Sequence, residues 1–408
     1  MSSLHRLLLA CAAALLPTML DAAARAEIPE HLIRIGVLYD GSGPFADQTE
    51  HGAVVAAELA LEDFAPEAGD LKVEIVYGDH QNKPDIGAAI VRKWLDEGRV
   101  AAVTDVPNSA VALAVNTLMA AKNRVLLASS TATSDLTGKF CQPTTVQWDT
   151  DTWAQANGTA RGLVEKGGKS WFFITVDYAL GTALERDTAA VVKSRGGTVL
   201  GDVREPLGTS DFSSYLIKAQ SSKAQVLGLA TTGADAINLV KQAAEFGIAQ
   251  GGQTLAGLFI MITDVDALGL KTAQGLVLTD PFYWDLNDAT RAFAKRFAAR
   301  MDGRPPTGNH AGVYSSVLAY LRAAKAADTL DGAKVVAEMR RRPIEDALFG
   351  EVVIRPDGRA VHAMHVFRVK SPEQSKGRWD DYQEVATIPP EQAFRPLDQG
   401  GCLMLEKR

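Results

Sequence analysis

The sequence predicts an α/β protein of two lobes, each a parallel sheet flanked by helices. Three observations carry this. Short, almost continuously apolar strand segments alternate with amphipathic helical ones, the mark of a parallel sheet covered on both faces. The alternation restarts after Thr152, as a second sheet would require. A chain of 408 residues, 47% apolar and 22% charged, is globular in composition and too long for one domain of about 150 residues.

The elements follow in order. Residues 32–39 read as an apolar strand, followed by a Gly41-Ser42-Gly43-Pro44 turn and a helix over 48–63. Residues 71–77 alternate as a strand. The helix over 84–97 has Pro84 at its start, a face of Ile86, Ile90, Val91, Trp94 and Leu95, and Gly98 as its stop. A strand over 100–104, a helix over 109–121 and a strand over 124–128 complete the first series. The second has a helix over 152–166, a strand over 170–175, a helix ending at Arg195, and strands over 198–203, 225–230 and 255–261. Helices over 211–220 and 234–246 lie between them. The C-terminal part changes character, with helices over 288–301, 311–327 and 332–341, then strands over 352–355 and 362–369 around a Pro356-Asp357-Gly358 turn. No period of 20–50 residues recurs, which excludes a solenoid.

The first 26 residues are a separate object. His5 and Arg6 precede an apolar run over 7–20, and Ala24-Arg25-Ala26 is a small-x-small cleavage signal before Glu27. This reads as a Sec-type export signal cleaved near Ala26; the alternative is a buried N-terminal helix. The run is short for a membrane span, and lipidation at Cys11 would leave Ala12 to Leu20 exposed. Its removal takes the net charge from −7 to −8. That acidic balance argues against nucleic acid and anionic membranes as partners, both of which require a basic surface. Cys141 and Cys402 then remain. In an exported protein they are expected to form a disulfide, and closing a loop of about 260 residues stabilises by roughly 4–5 kcal/mol in the chain-entropy model. Two buried thiols are the alternative.

Parallel sheets bind ligands beyond the carboxyl ends of their strands. Four turns there are rich in hydroxyls: Asp40 to Phe45, Thr104 to Ser109, Ser129 to Thr133, and Thr231 to Asp235. Ser109 and Thr232 open helical runs whose free N–H groups suit a carboxylate, though each residue alone is equally a helix cap. Apparent catalytic motifs fail on inspection. Gly41-x-Gly43-x-x-Ala46 is stiffened by Pro44 and precedes its helix by too much for a dinucleotide site. Gly162 to Ser170 is out of register for a P-loop and leads into a strand. His362 and His365, three apart on a predicted strand, point to opposite faces. No metal or cofactor is expected.

The residues also carry a resemblance. An I-R-I-G-V strand from Ile33 is followed by Ser42-Gly43-Pro44-Phe45, then D-H-Q-N-K-P from Asp79 and Val106-Pro107-Asn108-Ser109. Ser129-Ser130-Thr131-Ala132-Thr133, Asp177-Tyr178-Ala179-Leu180-Gly181 and Phe282-Tyr283-Trp284-Asp285 come next. In order and spacing, from about Ile33 to Val369, this resembles the periplasmic solute-binding proteins of ABC importers, of the leucine/isoleucine/valine-binding family. The resemblance implies a type I periplasmic binding protein fold with a hinge of three crossings. It implies an N-lobe of 27–147 plus 282–350, a C-lobe of 148–281 plus 351–390, and a tail over 391–408 that returns Cys402 toward Cys141.

By the same resemblance, the ligand carboxylate falls to Asn108, Ser109 and the turn of Ser129, Ser130, Thr131 and Ala132. Amino-acid-binding members also place an acidic residue after the strand over 255–261, where this chain has Phe259. A buried ammonium without a carboxylate is costly, so a ligand without an α-ammonium is expected. A one-gap shift would bring Asp264 there, and Asp235 beside Thr231 and Thr232 is a further candidate. Phe45, Tyr178, Tyr283 and Trp284 supply an aromatic wall, with Trp148 and Trp153 nearby, and His310 is placed to bond a ring substituent or to cap its helix. The expected function is capture of a small carboxylate, aromatic or otherwise apolar, by a monomeric periplasmic component docking on inner-membrane permease subunits, with the ATPase on a separate chain. Branched-chain amino acid or amide binding, a sensor role, and an exported hydrolase using Ser109 and Ser130 are the alternatives.

Overall fold

The computed structural model describes residues 28–406. The expected export signal and its cleavage point lie outside the described residues, none of whose helices is long and apolar enough to cross a membrane. The chain begins with β1 (Leu32–Tyr39), α1 (Glu50–Ala68), β2 (Lys72–Asp79), α2 (Pro84–Asp96), β3 (Ala102–Asp105), α3 (Ser109–Ala121), β4 (Val125–Ala128) and a strand not foreseen, β5 (Thr145–Gln147). These form a parallel sheet in the order β2-β1-β3-β4-β5. Its inner strands are apolar because they are buried on both faces. Ile33, Ile35 and Leu127 join one core, while Leu38, Val103 and Leu126 join a second under α2 and α3. Gly36 of β1 has no side chain because Trp94 of α2 occupies that space: a Cβ would lie 2.6 Å from its ring.

The second lobe opens with α4 (Thr152–Glu165), β6 (Ser170–Val176), α5 (Ala179–Ser194), β7 (Thr198–Glu205), α6 (Ser213–Ser221), β8 (Val226–Ala230), α7 (Gly233–Glu245) and β9 (Thr254–Gly257). This sheet is also parallel, in the order β7-β6-β8-β9. The strand expected over 255–261 stops at Gly257. Asp264 accepts a hydrogen bond from the Met261 N–H at 2.9 Å and so starts α8 (Ile262–Leu268), followed by the one-turn α9 (Leu270–Ala273). Local capping therefore draws residues 258–261 out of the sheet and places Phe259 in a loop.

β10 (Val277–Asp280) precedes the return to the first lobe, through α10 (Asp288–Ala298), α11 (Gly308–Ala327), α12 (Gly332–Met339) and a small antiparallel sheet of β11 (Ile344–Asp346), β12 (Gly350–Ile354) and β13 (Ala360–Val361). β14 (Met364–Val369) then pairs antiparallel with β10 on one side and with β15 (Tyr382–Ile388) on the other, in the second lobe. The boundary expected at 350/351 is thus displaced. Val352, Ile354 and Ala360 pack into the same core as Ile33 and Val125, so the N-lobe extends through Ala360. The strand expected over 362–369 is broken. His362 lies off the sheet, its Nε2 2.9 Å from the Asp149 carbonyl oxygen, while His365 on β14 meets Glu384 of β15.

Three crossings join the lobes, around residues 148–151, 281–284 and 359–363. Arg359 of the third holds the first. It is fully buried and donates to the carbonyl oxygens of Trp148 (2.8 Å), Thr150 (3.0 Å) and Asp149, and to that of its neighbour Ala360 (2.9 Å). The tail passes over this clamp, with the Phe394 ring 4.3 Å from the guanidinium carbon. It ends at Cys402, which forms a disulfide with Cys141 across a sequence separation of 261.

Candidate functional site

The carboxyl ends of β1, β3 and β4 face those of β6, β7 and β8, and the lobes touch across the gap. Asp40, one residue past β1, accepts hydrogen bonds from the N–H groups of Gly43 (2.9 Å) and Phe45 (3.1 Å), folding the turn that presents Phe45. The Phe45 ring stacks on Tyr178, centroids 6.4 Å apart. The Pro44 carbonyl accepts from the Ala234 N–H at the start of α7. Gln48 donates to the Thr232 hydroxyl at 3.2 Å and to Asp264 at 3.1 Å, so Asp264 binds the two lobes together besides capping α8. On the far flank, Arg186 of α5 meets Asp135 at 2.6 Å, and Ser134 and Thr152 both donate to Asp187.

Gly233 makes this closure possible. It sits at φ +60°, and a Cβ there would lie 2.4 Å from the Pro44 carbonyl oxygen. Gly233→Ala is expected to lower ligand affinity about tenfold, since its methyl would overpack the contact with the Pro44 carbonyl that closure makes, at a cost of about 1–3 kcal/mol. Titration calorimetry checks this; unchanged affinity would show that the contact is not needed for capture.

The hydroxyl-rich turns divide into used and free groups. After β3 the backbone is strained: Asp105 and Val106 have φ +73° and +59°, the latter unusual for a β-branched residue. The turn after β4 holds it there. Ser129 accepts from the Asp105 N–H at 3.1 Å, Thr131 donates to the Val106 carbonyl at 2.6 Å, and Ser130 donates to the Asp105 carboxylate. Asn108 caps α3, accepting from Ala110 (2.8 Å) and Val111 (3.0 Å). Asn108, Ser129, Ser130 and Thr131 are therefore occupied in supporting the site. The Ser109, Thr231 and Tyr178 hydroxyls are buried at the same strand ends without a hydrogen-bond partner.

The aromatic residues also divide. Phe45 and Tyr178 line the meeting of the lobes. Phe259 packs with Ala132, Leu180 and Met261, with Tyr178 against the same cluster. Tyr283 and Trp284 do not join them. Both donate to the Trp379 carbonyl, at 3.1 and 2.7 Å, and Tyr283 packs on Phe367 and Tyr382. Their polar edges are used within the C-lobe and second crossing, and Trp148 is buried in the N-lobe core. His310 caps its helix: Nδ1 accepts from the Thr307 N–H at 3.0 Å and Nε2 lies 2.9 Å from the Thr49 carbonyl oxygen. Burial lowers its pKa to about 4, so the ring is neutral.

Sequence reasoning named Asp235 but passed over the other acidic members. Asp40 and Asp105 stand inside turns it had singled out, and Glu205 is the last residue of β7, two beyond the strand end it expected. A carboxylate ending a strand before Pro206 was the available signal. Both Glu205 oxygens are buried without a completed hydrogen bond, beside Thr231 and Thr209. Asp235, in the first turn of α7, accepts from the Gly208 N–H at 2.9 Å. Burial raises the pKa of Asp105 and of Glu205 to about 8 each, Asp40 adding to the first and Asp235 to the second. Asp40 and Asp235 are raised mainly by burial too. Among the described residues, no group of three or more His, Cys, Asp or Glu is arranged to hold a metal ion.

Comparison with known proteins agrees with this architecture. Residues 32–378 match a family model described as periplasmic binding protein. A curated relative, a Leu/Ile/Val-binding protein homolog from Brucella melitensis, is 28% identical over 253 residues; the match spans 61% of this chain and 64% of the relative's length. A solved periplasmic binding protein from Burkholderia mallei is 46% identical, with TM-score 0.89 over 91% of this chain and 99% of the other. The periplasmic ligand-binding protein of a branched-chain amino acid ABC transporter from Burkholderia xenovorans is 39% identical over the same shares, with TM-score 0.82. An ABC transporter solute-binding protein from R. palustris in complex with benzoate, 17% identical with TM-score 0.77 over 88% of this chain and 97% of the other, shares the fold. Two lobes of parallel sheet joined by three crossings, closing on polar strand ends, and a family match over nearly the whole described chain lead to one conclusion: the chain belongs to the periplasmic binding protein family.

Proposed function

We propose that this chain is the extracytoplasmic solute-binding component of an ABC importer. Residues 1–26 direct its export and are removed near Ala26. A small solute enters between the lobes, contacts the strand ends of both, and stabilises the closed form by its higher affinity for that form. The closed monomer docks on permease subunits in the inner membrane, and the ATPase is a separate chain. The protein itself performs no chemistry.

The observation that carries this reading is the set of buried, unpartnered polar groups facing each other across the cleft: Ser109 from the N-lobe, and Tyr178, Glu205 and Thr231 from the C-lobe. A buried polar group without a partner costs about 1–3 kcal/mol. Several at one place suit a site completed by ligand. The apolar wall is Phe45, Tyr178 and Phe259. The polar edges of Tyr283 and Trp284 are engaged elsewhere, so those two residues add nothing polar to this wall.

Ser109→Ala and Thr231→Val are each expected to weaken ligand binding about fivefold, one hydrogen bond of about 1 kcal/mol. The same changes are expected to leave the melting temperature of the free protein unchanged or raised, because each removes an unsatisfied buried hydroxyl. Calorimetric titration and thermal melts read the two effects separately. Lowered free-protein stability with unchanged affinity would assign both hydroxyls to the scaffold.

A further inference from the structure

Asp40 and Asp105 enter the cleft from the N-lobe, and Glu205 and Asp235 from the C-lobe. All four are nine-tenths or more buried. The charged groups acting on them are acidic. Asp79 acts on Asp40, Asp40 on Asp105, and Asp235 on Glu205. Tyr178, between the lobes, feels both Asp235 and Asp40. Of these, Asp40 is engaged with backbone N–H groups and Asp235 with Gly208. Asp105 has one carboxylate oxygen without a completed hydrogen bond and Glu205 has two, although the Thr231 and Thr209 hydroxyls stand close enough to Glu205 to lower its pKa against the effect of burial. Unused acceptors therefore come from both lobes, and among the described residues no basic side chain forms an ion pair with them.

We propose that the solute captured here carries net positive charge, as an organic cation such as an amine, guanidine or quaternary ammonium compound, and that Asp105 and Glu205 read that charge from opposite lobes. This rests on the solute-binding reading above and narrows it. An anion entering this cleft would add like charge to carboxyls that burial already opposes in ionised form. A cation supplies the missing partner, so both carboxyls ionise as it binds and closes the lobes. Phe45, Tyr178 and Phe259 give such a cation aromatic faces as well.

The sign of the pH dependence follows. Asp105 and Glu205 hold protons in the free closed form up to about pH 8. A cation displaces those protons. Its affinity therefore rises with pH, by about tenfold per pH unit for each proton released, and levels off above about pH 8. For the free protein the sign is opposite. Both folded pKa values lie above the unfolded ones, so their contribution to stability is full below about pH 4 and is lost as pH rises to about 8.

The test uses the purified full chain in thermal-shift and calorimetric titrations at pH 6, 7.5 and 9. The cationic probes are benzylamine, putrescine, agmatine and choline. They are set against benzoate, 4-hydroxybenzoate, L-leucine and ribose. At least one cation is expected to bind, about tenfold or more tightly at pH 7.5 than at pH 6. Asp105→Asn and Glu205→Gln are each expected to weaken it at least tenfold and to flatten that slope. Both variants keep or raise the free protein's melting temperature at pH 8, which separates lost recognition from lost folding. Binding of benzoate, leucine or ribose in preference to every cation, with affinity flat or falling as pH rises, would overturn the charge assignment and leave solute capture standing. Silence across all eight probes at every pH would overturn both.

Discussion

Replacing Cys141 and Cys402 with serine is expected to destabilise the protein by about 4 kcal/mol, with the loss concentrated where the tail meets the N-lobe. The disulfide spans 261 residues, so in the chain-entropy model it restrains the unfolded chain more than a short loop would. It also anchors what precedes it. Arg395 donates to the Ser134 carbonyl at 2.9 Å, Asn157 donates to the Gln392 carbonyl, and Phe394 covers Arg359. Without the bridge the last turns are held by these contacts, by the Arg355 bond to the Arg395 carbonyl and by the packing of Ala393 and Phe394. Urea unfolding of the double serine variant, compared with the oxidised parent, reads the loss. Hydrogen exchange over 391–402 should rise before that of either sheet. Equal stability with and without the bridge would show that the tail contacts suffice.

Arg359→Met is the second large effect, expected at about 3–5 kcal/mol. A buried cation is costly by itself, and replacing a whole ion pair by apolar groups is often neutral. This arginine does more than pair with Asp151, 3.7 Å away. It satisfies carbonyl oxygens of three consecutive residues, Trp148, Asp149 and Thr150. Methionine would take this donor from the Thr150 oxygen, leave the Trp148 and Asp149 oxygens to the His362 ring alone, and remove the cation beside Asp151. The nearby Asp149 carboxyl, pushed up by burial and by Asp280, would lose the opposing charge that Arg359 supplies. Arg359→Lys is expected to recover a minor part, since one ammonium cannot spread over the same fork of acceptors. Chemical denaturation measures all three proteins. A methionine variant within about 1 kcal/mol of the parent would refute the clamp.

The order of strands and helices was legible because its signals are short-range. The α3 helix, Ser109–Ala121, was read to the residue, with Asn108 before it and an apolar face within it. β15 was not, because its five central residues are exposed and only Tyr382 and Ile388 mark a buried face. β9 was read too long because Leu258 to Met261 are apolar, yet the Asp264 cap bends them away. The site was legible in outline, as four turns at strand ends. Which of their side chains are free was not.

By itself, the sequence determined the two-lobed parallel architecture, the turns that line the cleft and the two cysteines available for a bridge, all consequences of local periodicity, capping and composition. The tertiary structure decided which of those polar groups are spent and which remain. Ser129 and Thr131 are consumed in holding a strained turn 25 residues or fewer away, and Thr232 by Gln48, 184 residues distant. Only folding brings Asp105 and Glu205 from separate lobes into one cleft, because partnering and burial depend on contacts that no local pattern encodes.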